Sequence, residues 1–170
     1  MFVLATVSIV LLLAMAVISV DVSFMQLTRT ELQIASDAAA RAGAEALLRT
    51  QDPDLARQAA IEIASQNSVA GKPLVLTAAD IELGNSLLQP NGSWDFTSFG
   101  SPYNSVRINA SLSDANANGS VPYFLASFFG RTSFSPRTTS TAANMEQDLY
   151  LVLDRSHSMC FDLSGVDWVY

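Results

Sequence analysis

The chain contains one cysteine, one histidine and nine basic residues among its 170. A single cysteine excludes an intrachain disulfide. The lone His157 cannot build a zinc cluster, nor a histidine-paired nucleophile with Cys160, because the sequence offers no further partners for either. A net charge of -7 argues against general nucleic-acid binding, which needs basic side chains to neutralise phosphates. Charge of either sign is scarce at 15%, while 49% of residues are hydrophobic, more than a soluble domain of this length needs. The excess is concentrated at the start. Residues 1–20, MFVLATVSIVLLLAMAVISV, carry no charged side chain.

Twenty helical residues rising 1.5 Å each reach about 30 Å, the hydrocarbon thickness of a bilayer. Met1 to Val20 therefore reads as a membrane-spanning helix by length. It reads equally as a filament-core helix, where copies of the helix replace lipid. A cleaved signal peptide would bring a basic n-region and a break after the apolar core, and the segment has neither. Ala5, Ser8, Ala14, Ala16 and Ser19 stand among large apolar residues and allow another helix to approach closely.

The helical pattern continues beyond Val20. DVSFMQLTRTELQIASDAAARAGAEALLR, Asp21 to Arg49, has no proline and a single glycine, Gly43. Phe24, Leu27, Leu32, Ala35, Ala39, Ala42, Ala46 and Leu47 recur at three-and-four spacing, with charges interleaved. An unbroken rod of about 75 Å is expected. Asp52 as N-cap and Pro53 at the first helical position predict a second helix over Pro53 to Gln66, presenting Leu55, Ala59, Ile61, Ile63 and Ala64.

Beyond Pro73 the pattern turns to strands: PLVLT, DIELG, SWDFTSF, NSVRINASL and RTSFSPRTTSTAA, separated by turn-forming stretches. Val106, Ile108, Ala110 and Leu112 alternate with Arg107, Asn109 and Ser111, one face in and one out. VPYFLASFFG predicts a short helix capped by Ser120, with Phe124, Leu125, Phe128 and Phe129 plugging the apolar face of the sheet. The fold class expected is α+β: a long N-terminal hydrophobic helix, transmembrane or filament-core, then a small, mainly antiparallel β head with short helices. The divisions are 1–50 for the long helix, 51–147 for the head and 148–170 for a further element.

VDVSFMQLTRTELQIASDAAARAGAEAL after an apolar helix resembles the TadE/TadG-like proteins of bacterial tight-adherence (Tad/Flp) pilus systems. DIELGN with WDF after it, NSVRINASL, and VPYFLASFFG before a Ser/Thr-rich strand extend the likeness. The resemblance implies an N-terminal anchor, an extracytoplasmic head and a non-enzymatic part in assembling or presenting pili for attachment. Its location would be the bacterial inner membrane with the head outside, or an extracellular pilus filament. Implied partners are copies of the chain or other pilin-like subunits through the N-terminal helix, and the membrane. Two departures stand out. No basic segment precedes the apolar helix, which would suit a start inside a longer precursor or after a processing site. Ala5 replaces the glutamate that type IV pilins carry at the fifth position, so the usual pilin salt bridge is not available there.

In larger TadG-like members this pattern leads to a von Willebrand A domain beginning like LYLVLDRSHSM. By that resemblance Ser156 and Ser158 would bind a cation directly and Asp154 directly or through water. Two hydroxyls and a carboxylate are hard oxygen ligands of the kind magnesium prefers. An acidic group of a partner protein would complete the shell, and further ligands would come from later loops of a longer chain. Residues 1–147 require no cofactor on this reading, and 148–170 are the opening strand and metal loop of an incomplete domain.

Overall fold

The computed structural model describes residues 1–125 and 130–144. One helix, α1, runs without interruption from Phe2 to Thr50, about 74 Å at the standard rise. No residue in it breaks the hydrogen-bond ladder. It stops where Gln51 turns left-handed at φ 54° and donates its backbone N–H back to Leu47. The next residue starts the following helix at once: the Asp52 carboxylate accepts from Asp54 N at 2.8 Å and Leu55 N at 3.4 Å. Helix α2 then occupies Pro53–Gln66, with proline at its first position where no amide is needed.

The strands are β1 (Ser68–Val69), β2 (Lys72–Pro73), β3 (Ile81–Leu88), β4 (Trp94–Ser98), β5 (Ser105–Ser111), β6 (Val121–Pro122), β7 (Ser133–Phe134) and β8 (Arg137–Ala143). Four of them form one antiparallel sheet in the order β4-β3-β5-β8. Its inner face carries Ile81, Leu83, Val106, Ile108 and Ala110, all buried, and packs on the C-terminal half of α1. The α+β architecture is thus as expected, with α1 serving as the wall of the head as well as its stalk.

The seam between α1 and its neighbours is built from small residues. Ala35, Ala39, Ala40, Gly43 and Ala44 of α1 are buried, as are Ala56, Ala60 and Ala64 of α2. A Cβ on Gly43 would lie 3.2 Å from Val106 Cγ1 and 3.3 Å from the Ala56 carbonyl oxygen. The buried face of α2 is this alanine ladder, not the larger residues: Leu55 is exposed and Ile61 and Ile63 are only half-buried. On α1 likewise, Leu27 is exposed and Thr28 and Ser36 are buried in the stripe. Close backbone approach has displaced bulk to the flanks.

Two further expectations are corrected. PLVLT forms a strand only at Pro73. Leu74 and Leu76 still point into the core, but Val75 bonds to a side chain: its N–H donates to Asn118 Oδ1 at 2.8 Å and its carbonyl accepts from Asn118 Nδ2 at 2.9 Å. Val121–Pro122 is not the start of a helix but the strand β6, paired with β7. Ser120 caps nothing there, because its N–H and hydroxyl both donate to Asp114 at 3.0 and 2.6 Å. Those two bonds hold the Asp114 carboxyl below its ordinary range. Phe124 is largely exposed and meets Phe24 of α1 edge to face at 4.7 Å instead of plugging the sheet. Phe128 and Phe129 lie outside the described residues, as do Leu149 to Leu153, His157, Cys160 and the metal candidates Asp154, Ser156 and Ser158.

The seam generates a prediction. Gly43→Leu should push α2 and β5 off α1 at a cost of about 1–3 kcal/mol, the range for overpacking a close contact. Thermal unfolding of the detergent-solubilised chain should show a clearly lowered midpoint. An unchanged midpoint would mean that the seam is looser than described.

Candidate functional site

The first twenty residues are almost bare: none is buried by the rest of the described chain, and only Ala14 and Val17 are half-covered. The most apolar stretch of α1 has a mean hydropathy of 2.8 over eighteen residues, none of them buried. Phe2, Leu4, Leu12 and Met15 expose between 66% and 91% of their surface. So large a bare apolar surface demands lipid or other helices around it. The polar residues there are neutralised locally: Ser8 Oγ donates to the Leu4 carbonyl at 2.9 Å and Thr6 Oγ1 to that of Val3 at 2.9 Å.

At about 100° per residue, Ala5, Ser8, Ala16 and Ser19 share one side of α1. Ala14 does not join them. It lies opposite, in line with Asp21 and Leu32, on the side the head occupies. The side of Ala5 and Ala16 continues upward past Ser23, Thr30 and Ile34 to Leu48, where Ile34 and Leu48 remain 59% and 54% exposed. One face of the helix is therefore unoccupied along its whole length, and its lower part has the small residues that let another helix come near.

The junction of the bare and covered halves is held by a residue that sequence reasoning did not single out. Asp21 is the first charge after the apolar run, and it is buried at 4% exposure. Its carboxylate accepts from Phe124 N at 2.9 Å and Leu125 N at 3.2 Å. Backbone amides that donate to a buried carboxylate are strong, charge-assisted bonds. Behind them Phe24 stacks edge to face on Phe124, and Tyr123 lies 5.4 Å from Phe134, closing an aromatic collar around the helix. The only signal in the sequence was an acid placed directly after twenty apolar residues.

A groove of about 170 Å³ runs under this collar along Val17, Ile18, Asp21, Val22 and Met25, roofed by Tyr123 and Arg131. The outer face of the sheet bears a second surface feature. Phe96 covers Gly84, and the Arg107 guanidinium sits 3.8 Å from the Phe96 ring centroid beside exposed Trp94. Among the described residues there is no cluster of three metal-ligating side chains.

Asp21→Ala should release the loop around Phe124 from α1. Because a charge-assisted bond is worth about 1.5–3 kcal/mol, amide exchange at Phe124 and Leu125 should accelerate by more than tenfold while exchange in β5 stays slow. Equal protection of Phe124 in wild type and variant would remove Asp21 as the clamp.

Comparison with curated proteins and with solved structures returned no match. Two family descriptions do match. Residues 1–46 fit the family described as Flp pilus-assembly TadE/G-like, and residues 42–142 fit the one described as Tad-like Flp pilus-assembly. The first match covers the bare helix and most of the α1 seam; the second covers the helical turn, α2 and all but the last residue of the sheet. Neither extends to the DxSxS segment. The second match alone covers more than half of the chain, which belongs to the Tad-like Flp pilus-assembly family.

Proposed function

We propose that the chain is a pilin-like structural or assembly subunit of a Tad/Flp-type pilus, with no enzymatic role, whose apolar helix packs beside copies of itself or other pilin-like subunits. Membership of the family supports a part in pilus assembly or structure, and the bare helix supports a membrane-anchored or pilus-associated location. The observation that carries the finer reading is the open face of α1 from Ala5 to Leu48, with small residues below and a mixture of polar residues with the exposed Ile34 and Leu48 above. In this reading the head stands outside the bacterial inner membrane, or on the surface of a filament once the helix has left the bilayer.

Face specificity provides the test. Ala16→Leu adds bulk to the unoccupied side, and Ala14→Leu adds the same bulk to the opposite one. Detergent-free preparations viewed by electron microscopy should show uniform fibres for the wild type and for Ala14→Leu. Fibres of Ala16→Leu should be reduced roughly tenfold, as expected for about 1–3 kcal/mol of overpacking. Equal loss in both variants, or fibres in neither case from the wild type onward, would sink the helix-packing reading. Protease added to intact spheroplasts should cut the head, and protection until lysis would reverse the orientation.

A second reading rests on the DxSxS pattern. A longer form of the chain would be an anchored adhesion module in which Asp154, Ser156 and Ser158 hold magnesium for an acidic protein ligand. Asp154→Ala in that longer form should abolish magnesium-dependent ligand binding and leave anchoring intact. Binding that persists unchanged would remove the site.

A further inference from the structure

The head does not sit clear of the apolar run. Tyr123 and Arg131 come down beside Val17 and Ile18, residues that belong to the segment long enough to span a bilayer, and enclose a groove with them. The Asp21 bonds to Phe124 and Leu125 fix the loop at that height. The hydrocarbon of a bilayer is about 30 Å thick and its polar layers add roughly 5–7 Å on each side. If residues 2–20 fill the hydrocarbon, Asp21 marks its edge and the groove, lined on α1 from Val17 to Met25, straddles that edge.

The groove sets an apolar wall against a polar one. Its wall on α1 runs from Val17 and Ile18, below Asp21, to Val22 and Met25, above it, and the half-buried Ala14 lies below Val17 on the same side of the helix with little bulk to block the way down. Facing that wall are the half-buried Tyr123 and the exposed Arg131. Asp21, the acid in the groove, directs its carboxylate to the Phe124 and Leu125 amides. Arg131 makes no ion pair with any described carboxylate, the ion pairs there being Arg49 with Glu45 and Arg57 with Asp54. A guanidinium suits a phosphate geometrically, and tyrosine favours the boundary between hydrocarbon and water.

We propose that this groove binds one anionic phospholipid of the leaflet facing the head, its acyl chain along Ala14, Val17, Ile18 and Val22 and its phosphate on Arg131. The lipid fills the gap that the collar leaves against the helix and ties the head to the membrane surface. The inference rests on the membrane-anchored form of the proposed function.

The test uses the full chain in detergent micelles, titrated with dioleoylphosphatidylglycerol and separately with dioleoylphosphatidylcholine, and read by native mass spectrometry. One phosphatidylglycerol per chain should be retained, with clear preference over phosphatidylcholine. Arg131→Gln should weaken retention about fivefold, the worth of one basic residue at an anionic surface, and Arg131→Lys should restore most of it. Because Arg131 is exposed, the helical circular dichroism of both variants should match the wild type. Equal retention of the two lipids, indifference to Arg131→Gln, or competition by inorganic phosphate would each overturn the proposal. A nitroxide at Ala5→Cys in a Cys160→Ser background separates the two levels of the argument. Hydrocarbon depth in vesicles with no lipid adduct overturns the lipid site alone, whereas an aqueous label overturns the membrane-anchored reading and the lipid site with it.

Discussion

Between Leu32 and Leu47 the long helix offers its neighbours, apart from those two leucines, nothing buried larger than a methyl or hydroxymethyl group, and α2, β5 and β8 come close because of it. Side chains of this size contribute little apolar area each. Their benefit is geometric: backbones approach until the flanking Leu32, Leu47, Val106 and Ile108 fill the remaining space at interior density. Half of the head's wall is a helix already fixed by its own ladder, so the strands fold against a preformed surface.

That arrangement makes α1 answer to two solvents at once. Above Asp21 its inner side is dry and tightly packed; below, the helix carries no charge and is exposed except where Ala14 and Val17 are half-covered on the head's side. Asp21 stands at the change. A carboxylate at that level would be expensive to bury alone, and the two amides of Phe124 and Leu125 compensate it while pinning the collar to the helix. The seam fixes the head on α1, and the Asp21 bonds pin the loop at Phe124 and Leu125 to the same helix lower down.

How much could be read from residues alone follows from how local each determinant is. The end of α1, the cap at Asp52 and the span Pro53 to Gln66 depend on neighbours within one turn, and they were legible. The alternation over Ser105–Ser111 was legible for the same reason. Val75 was not, because its strand partner is the side-chain amide of Asn118, which imitates a backbone peptide from 43 positions away. Asn104 does the same for Ser86, extending the β3–β5 ladder by a side chain. Ser120 and Pro122 look like a cap and a first helical turn, yet the same residues serve as an anchor for Asp114 and an edge strand. The Asp21 clamp spans 103 positions and has no local signature beyond an acid at the end of an apolar run. The candidate small residues separated only when helical phase was applied to a helix of known contacts, which put Ala14 under the head and left Ala5, Ser8, Ala16 and Ser19 on the open side.

Under the proposed reading, the two surfaces of α1 have different consequences for a subunit that passes from a membrane to an assembly. The open side runs from Ala5 to Leu48 and the collar groove lies across the helix from it. A neighbouring helix on the first does not collide with a lipid in the second, so under the proposed reading a membrane-held subunit can meet its partner before it leaves the bilayer. On that reading the groove would empty as the subunit leaves, since a filament offers no headgroup to Arg131. The bare helix loses nothing in that exchange if other helices replace the acyl chains, because hydrocarbon and packed leucine are similar surroundings. The difference between the two states would fall on the collar, where the aromatic cluster of Phe24, Tyr123, Phe124 and Phe134 meets lipid in one case and protein or water in the other.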